Sequence, residues 1–219
     1  MSDGFNRMIT TSRSYFAGLF ENNDKDWFEA HKSTFKNEIE APAKLLAELF
    51  AEDLSRLTGV SHTGKVGRIY RDTRFSNDKT PYNTYLHVYW ESREDVPGWL
   101  MRVTVTGPEF LTGLHGMDSA ALARFRAAVD SDGDALEASI DKARAGGSDI
   151  VDMGPKSLKR VPKPYAPDHP FEAHLRRKML ALGGPIAESA LGDGLIPALN
   201  RSATALLPFW RWCNRATID

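Results

Sequence analysis

The most constraining feature of the sequence is a strict alternation of side chains from Trp99 to Thr106. Successive side chains of a β-strand point to opposite faces of a sheet, so this period of two predicts a half-buried strand. Its apolar side carries Trp99, Met101, Val103 and Val105. One face of the predicted sheet therefore packs on a core, and the other faces solvent or a ligand.

Strand-forming segments flank this alternation on both sides. Residues 65–70 favour β-structure, residues 85–90 (YLHVYW) are rich in strand formers, and a returning strand is expected from Glu109 to His115. The connections are short, which favours antiparallel neighbours because parallel strands require long crossovers. Residues 65–116 therefore predict an antiparallel β-meander of about four strands.

The segments before and after the meander have helical periodicity. In the N-terminal part, residues 1–58, the stretch after Pro42 predicts a helix. Its inward face would carry Leu45, Leu46, Leu49, Phe50, Leu54 and Leu57. This stretch forms either one long kinked helix with the preceding residues or a pair of helices. In residues 118–219, helices alternate with a proline-rich basic loop.

Two helices are predicted in the last fifty residues. One spans Phe171 to Leu182 and is led in by Pro170; the other spans Leu195 to Leu207 and is ended by Pro208. Helices on both sides of a single antiparallel meander, packed on the sheet, make an α+β fold. We expect one domain over residues 1–219.

Composition limits the class of partner. The formal net charge of -1 argues against a wholesale binder of nucleic acid or of membrane surfaces. No segment has the roughly twenty apolar residues of a membrane span, and no signal peptide is recognised. Cys213 is the only cysteine, which excludes an internal disulfide and a zinc site with paired cysteines. The expectation is a cytoplasmic protein with no membrane partner.

Charge is concentrated in residues 68–82, RIYRDTRFSNDKTPY, which we call the charged loop. Arginine offers a planar fork of donors that matches phosphate or carboxylate, and lysine offers a point charge. If strand geometry continued through the loop, Asp72 and Arg74 would share one face and Phe75 would lie on the other. The predicted ligand-binding residues of the loop are Arg71, Asp72, Arg74, Ser76, Asp78, Lys79 and Tyr82, with Tyr82 as an aromatic wall.

A second basic stretch, LKRVPKPYAPDHP, spans residues 158–170. Its prolines hold the chain at low entropic cost, and Lys159, Arg160 and Lys163 would form a second wall of an anion site. The ligand would be a small phosphate-bearing molecule, and nucleic acid is less favoured. The alternative is a structural or protein-interaction module whose charged loop is an internal latch.

An enzyme acting on a phosphate ester or nucleic acid is a third hypothesis. Its acid–base candidates are His87, Asp72, Asp78, His169 and Tyr82. The structural interpretation of His87, between Tyr85 and Tyr89, is a hydrogen-bonded and half-buried sheet residue. The six histidines lack HxH or HExxH spacing, so no metal site is predicted. The sequence specifies neither a reaction nor a cofactor.

The C-terminal segment PFWRWCNR combines three aromatic residues with two arginines. This composition is typical of interface hot spots. If Phe209, Trp210 and Trp212 were exposed, they would form an apolar patch and predict a homodimer. Packing of the same rings in the core is the alternative, and Cys213 would then be buried and inert.

Three stretches resemble the domain of unknown function 2461 family, a group of uncharacterised bacterial and fungal proteins. They are Asn22-Asn23 with Trp27-Phe28, the run RDTRFSNDKTPY, and residues 158–170. The resemblance covers nearly the whole length. Two positions depart from the family pattern: Asn83 replaces a lysine, and Pro164 replaces a glycine. The resemblance implies a shared scaffold and supplies no catalytic residue.

Overall fold

The computed structural model describes residues 4–74, 76–92, 97–154 and 156–217. The helices are α1 (Gly4–Glu21), α2 (Lys25–Thr34), a π-helical segment (Phe35–Glu40), α3 (Ala41–Thr58), α4 (Ser119–Ala145), α5 (Glu172–Leu175), a short 3-10 helix (Glu188–Leu191) and α6 (Leu195–Thr217). The strands are β1 (Thr63–Val66), β2 (Leu86–Glu91), β3 (Gly98–Thr104), β4 (Gly107–Leu114), β5 (Asp149–Ile150) and β6 (Leu180–Pro185). They form one sheet in the order β1-β2-β3-β4-β6-β5, with β5 antiparallel to β6.

The α+β fold is confirmed, with six strands in the sheet instead of about four. The chain divides into two compact units. The first comprises Met1–Trp90, Leu100–Phe110 and Pro185–Arg201, and the second comprises Glu91–Trp99, Leu111–Gly184 and Ser202–Asp219. Folding of residues 1–219 as one domain stays a prediction.

The core of the first unit lies between α3 and one face of the strands. Along β2, buried residues alternate with half-buried ones, as the period of two predicts. Trp90 is fully buried; its ring meets Phe50 edge to face at 5.0 Å, and its Nε1–H donates to the carbonyl oxygen of Ala47 at 3.0 Å. The same alternation holds along β3, so the predicted strand is confirmed over Trp99–Thr104. The prediction that Val105 belongs to the buried side is wrong, because Val105 lies beyond the end of β3 and is 46% exposed.

The helical path from Lys25 to Thr58 is continuous, with the π-helical segment in place of a break. Asp24 caps its start, because the Asp24 side chain accepts a hydrogen bond from the backbone N–H of Trp27 at 2.9 Å. The prediction that Leu45 and Leu49 face the core is wrong, since these side chains are 50% and 45% exposed. The buried face of α3 instead carries Ala43, Leu46, Ala47, Phe50, Ala51 and Leu54.

The predicted helix from Phe171 to Leu182 is also wrong beyond Leu175, where α5 ends and strand β6 follows at Leu180. The strand lies between β4 and β5, and Leu180, Ala181 and Leu182 are all buried. A short continuous apolar run is compatible with both a buried helix and an inner strand, and periodicity alone does not separate them.

Helix α6 does not end at Leu207 but continues through Pro208 to Thr217. A proline inside a helix costs about 3 kcal/mol, and burial of an aromatic side chain contributes about 1.5–3 kcal/mol. Phe209, Trp210 and Trp212 are all at most 2% exposed, so their combined burial outweighs that cost. Core packing of the aromatic end is confirmed, and the exposed patch on which the homodimer hypothesis depended is absent from this described segment.

Gly64 allows β1 to lie directly against α3. A Cβ atom at this position would lie 2.1 Å from the backbone oxygen of Ala47, which no side-chain rotation can relieve. Gly64→Ala is therefore expected to lower the free energy of unfolding by about 1–3 kcal/mol, with a fall in Tm of about 2–4 °C for each kcal/mol. Thermal unfolding followed by circular dichroism measures this. Gly4→Ala is the control, because nothing lies within 4 Å of its added methyl; equal Tm values for both variants would contradict the close contact.

Candidate functional site

The charged loop closes on itself at a neck next to the sheet. Tyr70 and Tyr82 form an isolated antiparallel bridge, and the N–H of Arg71 donates to the carbonyl oxygen of Pro81 at 2.9 Å. Strand β1 spans Thr63–Val66, so it overlaps the strand expected over residues 65–70 only at its first two positions. Residues 71–74 and 76–80 do not continue it. Phe75, which was expected on one face of that strand, lies outside the described residues.

An uncharged anchor attaches this neck to the helices. The Asn23 side chain donates through Nδ2 to the carbonyl oxygen of Tyr82 at 2.9 Å and accepts its N–H at 3.1 Å. The Tyr82 ring is only 4% exposed and stacks on Phe28 with centroids 4.2 Å apart. Tyr82 is therefore a buried anchor of the loop, and its role as the aromatic wall of a ligand site stays a prediction.

One ion pair shapes the interior of the charged loop. Arg71 Nη1 lies 2.5 Å from Asp78 Oδ2 and also donates to the Thr80 hydroxyl. The N–H of Thr80 donates to Asp78 Oδ1 at 3.0 Å. The hydrogen bond from this N–H, followed by those from Arg71 and the Thr80 hydroxyl, lowers the pKa of Asp78 to about 2. Asp78 therefore stays ionised and holds Arg71 in place at neutral pH.

A second pair lies further out in the loop. Arg74 donates to Asp72 through Nε at 3.0 Å and through Nη2 at 2.7 Å, a two-pronged contact that lowers the pKa of Asp72. The expected partnership of Asp72 and Arg74 is thus present without strand geometry. The Arg74 side chain is 78% exposed. Two weaker contacts complete the turn: Lys79 Nζ donates to the Thr73 carbonyl, and the Asp78 N–H donates to Ser76 Oγ.

These contacts bear on whether the charges form a latch. A latch would bury its Arg–Asp pairs against the helices. Here both pairs are internal to the loop, and Asp72 and Asp78 are 38% and 58% exposed. The loop is attached to the helices by Asn23 and by the contacts of the Tyr82 and Tyr70 rings with Phe28, and none of these side chains is charged. The charges define the shape of the loop and remain at its surface.

The second basic stretch belongs to the second compact unit. Lys159, Arg160 and Lys163 are exposed, and within the described ranges they have no hydrogen-bond or ion-pair partner. The backbone around them is fixed, because the N–H of Leu158 donates to the Arg176 carbonyl at 2.8 Å. The cis Lys163–Pro164 bond lies inside a turn, in which the N–H of Tyr165 donates to the Pro162 carbonyl. That these residues and the charged loop form two walls of one site stays a prediction.

His169 attaches the second basic stretch to α4. Its Nδ1 accepts the N–H of Phe171 at 3.1 Å, so its Nε2 carries the proton donated to Asp130 Oδ1 at 2.9 Å. Both ring nitrogens are engaged, which leaves none for proton transfer to a substrate. His174 makes a second attachment, to Glu137 at 2.8 Å.

His87 lies on the half-buried face of β2. Its ring stacks on Tyr85 with centroids 4.2 Å apart, and its Nδ1 lies 2.7 Å from the Tyr89 hydroxyl. Nε2 is buried and has no hydrogen-bond partner among the described residues. Burial, and then the charge of Arg102, lower the pKa of His87 to about 4. The hydrogen-bonded, half-buried interpretation is confirmed.

Comparison with family models assigns the chain. The family described as Conserved hypothetical protein (DUF2461) matches residues 11–212. The chain belongs to the DUF2461 family. Searches of curated proteins and of solved structures give no match. The family description names no activity, so roles for residues of this DUF2461 chain follow from its own geometry.

Three further findings on this DUF2461 member concern metal ligands, the cysteine and the helices. Across the described ranges, no group of three or more His, Cys, Asp and Glu side chains is placed to hold a metal ion. Cys213 is fully buried, and burial raises its pKa well above the ordinary value. No helix in the described part of the chain is both long and apolar enough to cross a membrane.

The anchoring residue Asn23 was missed by reasoning from the sequence. Its partner Tyr82 is 59 residues away, and an asparagine before a helix is ordinarily read as a turn residue. A signal was nevertheless present. The family resemblance included Asn22-Asn23, Trp27-Phe28 and the charged loop, and the structure brings Asn23, Phe28 and Tyr82 of those stretches together.

Proposed function

We propose that this DUF2461 chain binds a phosphate-bearing or other anionic ligand through exposed basic side chains held on ordered loops. The observation that carries the proposal is the trio Lys159, Arg160 and Lys163, which is exposed and without a partner among the described residues. The loop backbone is already fixed by the contacts of Leu158 and His169. Binding therefore does not have to order that backbone, which reduces the free-energy cost of association.

The charged loop supports the same function in the first unit. It contains four basic and two acidic residues, a net charge of +2. Arg71 is engaged in shaping the loop, so Arg68, Arg74 and Lys79 are its exposed cations. Asp72 orients the Arg74 guanidinium. Such an oriented planar fork suits the oxygens of phosphate or carboxylate.

Catalysis is not part of this proposal. The Nε2 atom of His87 is buried, and both nitrogens of His169 are engaged, so neither ring offers an accessible base. A role as a protein-interaction module is an outcome of the experiment below. The cytoplasmic location expected from the sequence stays a prediction.

Thermal unfolding tests the proposal directly. Wild type, the triple variant Lys159→Ala/Arg160→Ala/Lys163→Ala and Arg74→Ala are compared with pyrophosphate, adenosine triphosphate, glucose 6-phosphate and a short oligonucleotide, each at low and moderate salt. We expect at least one phosphate compound to raise the Tm of wild type, since ligand at about 100 times its Kd adds about 2.7 kcal/mol of stability. Without ligand, the triple variant should have the wild-type Tm. With ligand, it should not show the rise in Tm that wild type shows.

Lys142→Ala is the matched control, because Lys142 is an exposed α4 lysine of the same unit with no partner among the described residues. It should respond to ligand as wild type does. If Arg74→Ala also loses the ligand-induced rise in Tm, the charged loop is part of the binding site. A response to the oligonucleotide alone would identify a polyanion as the ligand. The slope of log K against log salt concentration should then be smaller by about 3 in the triple variant than in wild type. The proposal is wrong if no anion stabilises wild type, and a protein partner would then be sought.

A further inference from the structure

A cleft of about 440 Å³ lies within the first compact unit. It is formed by one side of α1, the turn between β3 and β4, and the segment that follows β6. Its volume falls in the range of small-molecule sites, about 300–1,000 Å³. None of the ligand-binding residues proposed from the sequence lines it.

The floor of the cleft is apolar and held in place. Ile9 and Ile186 are 3% and 7% exposed, and Pro108 and Leu191 lie beside them in the lining. The N–H of Ile186 donates to the carbonyl oxygen of Pro108 at 2.8 Å. Asn6 Nδ2 donates to the carbonyl oxygen of Leu191 at 2.8 Å, which ties α1 to the 3-10 helix. The floor is therefore preformed and suits an apolar ligand body.

Arg13 supplies a positive charge at the wall of the cleft. It projects from the 18-residue helix α1, and its Nε donates to the carbonyl oxygen of Val105 at 3.3 Å. Its Nη1 lies 2.8 Å from Glu188 Oε1. Glu188 belongs to the four-residue 3-10 helix, and its side chain is 81% exposed. The arginine is thus the fixed partner, and the glutamate is the one that a ligand can displace.

The Arg13–Glu188 ion pair is weak enough for a ligand to displace Glu188. Exposed ion pairs contribute about 0–1 kcal/mol, so an incoming carboxylate loses little by replacing the Glu188 carboxylate. The other acidic residue of the lining, Glu109, is occupied by Arg102, which donates to Glu109 Oε2 through both Nε and Nη2. The cleft therefore combines an apolar floor with a cation whose own partner is replaceable.

We infer that this cleft binds a small aliphatic carboxylate. The carboxylate lies against Arg13 in the place of the Glu188 side chain, and the hydrocarbon chain covers the floor at Ile9 and Ile186. The inference is independent of the proposed function, since it uses no residue of the charged loop or of the second basic stretch. Its failure would leave the anion-binding proposal untouched.

The experiment is a two-dimensional NMR titration of ¹⁵N-labelled protein with hexanoate, with hexanamide as the uncharged analogue. Arg13→Gln and Glu188→Gln break the same ion pair and so have equal effects on stability to a first approximation. Their effects on binding are opposite. Arg13→Gln removes the ligand's partner and should weaken binding at least tenfold, whereas Glu188→Gln removes a competitor and should strengthen it up to about fivefold. Arg7→Gln, at an exposed position of α1, should bind as wild type does.

The expected result is saturable binding of hexanoate with shifts at Ile9, Ile186 and Leu191. Three results would overturn the inference: no saturable shifts, hexanamide binding as tightly as hexanoate, or both variants changing affinity in the same direction. The last result would mean that the ion pair holds the cleft open and does not mark a ligand's position.

Discussion

Tyr82→Ala is expected to lower the free energy of unfolding by about 3–5 kcal/mol, the range for removal of large aromatic side chains from protein cores. The ring is 4% exposed and stacked on Phe28, so alanine would leave a cavity between the loop neck and α2. Burial also raises the pKa of its hydroxyl, as expected for a phenol withdrawn from water. The loop would then lose the stack of Tyr82 on Phe28 and keep the Asn23 contact and the edge-to-face contact of Tyr70 with Phe28.

Tyr70→Ala is the matched control for that change. Tyr70 pairs with Tyr82 across the neck but is 49% exposed, so its removal should cost no more than about 1 kcal/mol. Urea denaturation of the two variants measures the difference. If Tyr82→Ala were as stable as Tyr70→Ala while anion binding was lost, Tyr82 would be a ligand wall and the buried-anchor role would be wrong.

Acid is expected to destabilise the fold through His87. The pKa of this ring is lowered from 6.5 to about 4 in the folded chain, so between these values the unfolded state binds more protons. Stability is therefore complete above about pH 6.5 and falls as the pH drops towards 4. A shift of this size corresponds to about 3 kcal/mol at the acid end, because each pKa unit is worth about 1.4 kcal/mol.

Urea denaturation of wild type and His87→Gln between pH 4 and 7 isolates this contribution. Glutamine does not titrate in that window, so the variant should lose stability less steeply on acidification. Carboxylates contribute equally to both proteins and cancel in the comparison. His115→Gln, at an exposed histidine, should keep the wild-type slope. Parallel curves for wild type and His87→Gln would show that burial of His87 does not govern the acid response.

The fold was predictable where a local pattern decides the structure. The alternation at Trp99–Thr104 depends only on neighbouring side chains, and the structure confirms it. Strand β6 was not predictable, because successive side chains from Leu180 to Leu182 are all buried and the segment therefore shows no period of two. The two-residue β5 is too short to give any pattern.

In the candidate sites, too, contacts between residues close in sequence were predictable and contacts between distant residues were not. Pairing of Asp72 with Arg74 follows from their closeness in sequence and is present in the structure. The anchor of Tyr82 and the Arg13–Glu188 pair were not accessible, since their partners lie 59 and 175 residues away. Contacts of that range depend on how whole elements pack, and a single sequence carries no direct record of it.

The division of the chain into interleaved segments has a consequence for synthesis on the ribosome. The first compact unit lacks its last piece, Pro185–Arg201, until the 74 residues from Leu111 to Gly184 have been translated. At about 5–20 residues per second this takes roughly 4–15 s. Throughout that interval the nascent α1 has no Glu188 or Leu191 to meet, so Arg13 and Ile9 emerge before the partners that cover them. Cutting the coding sequence at any single point would leave at least one unit without all of its segments.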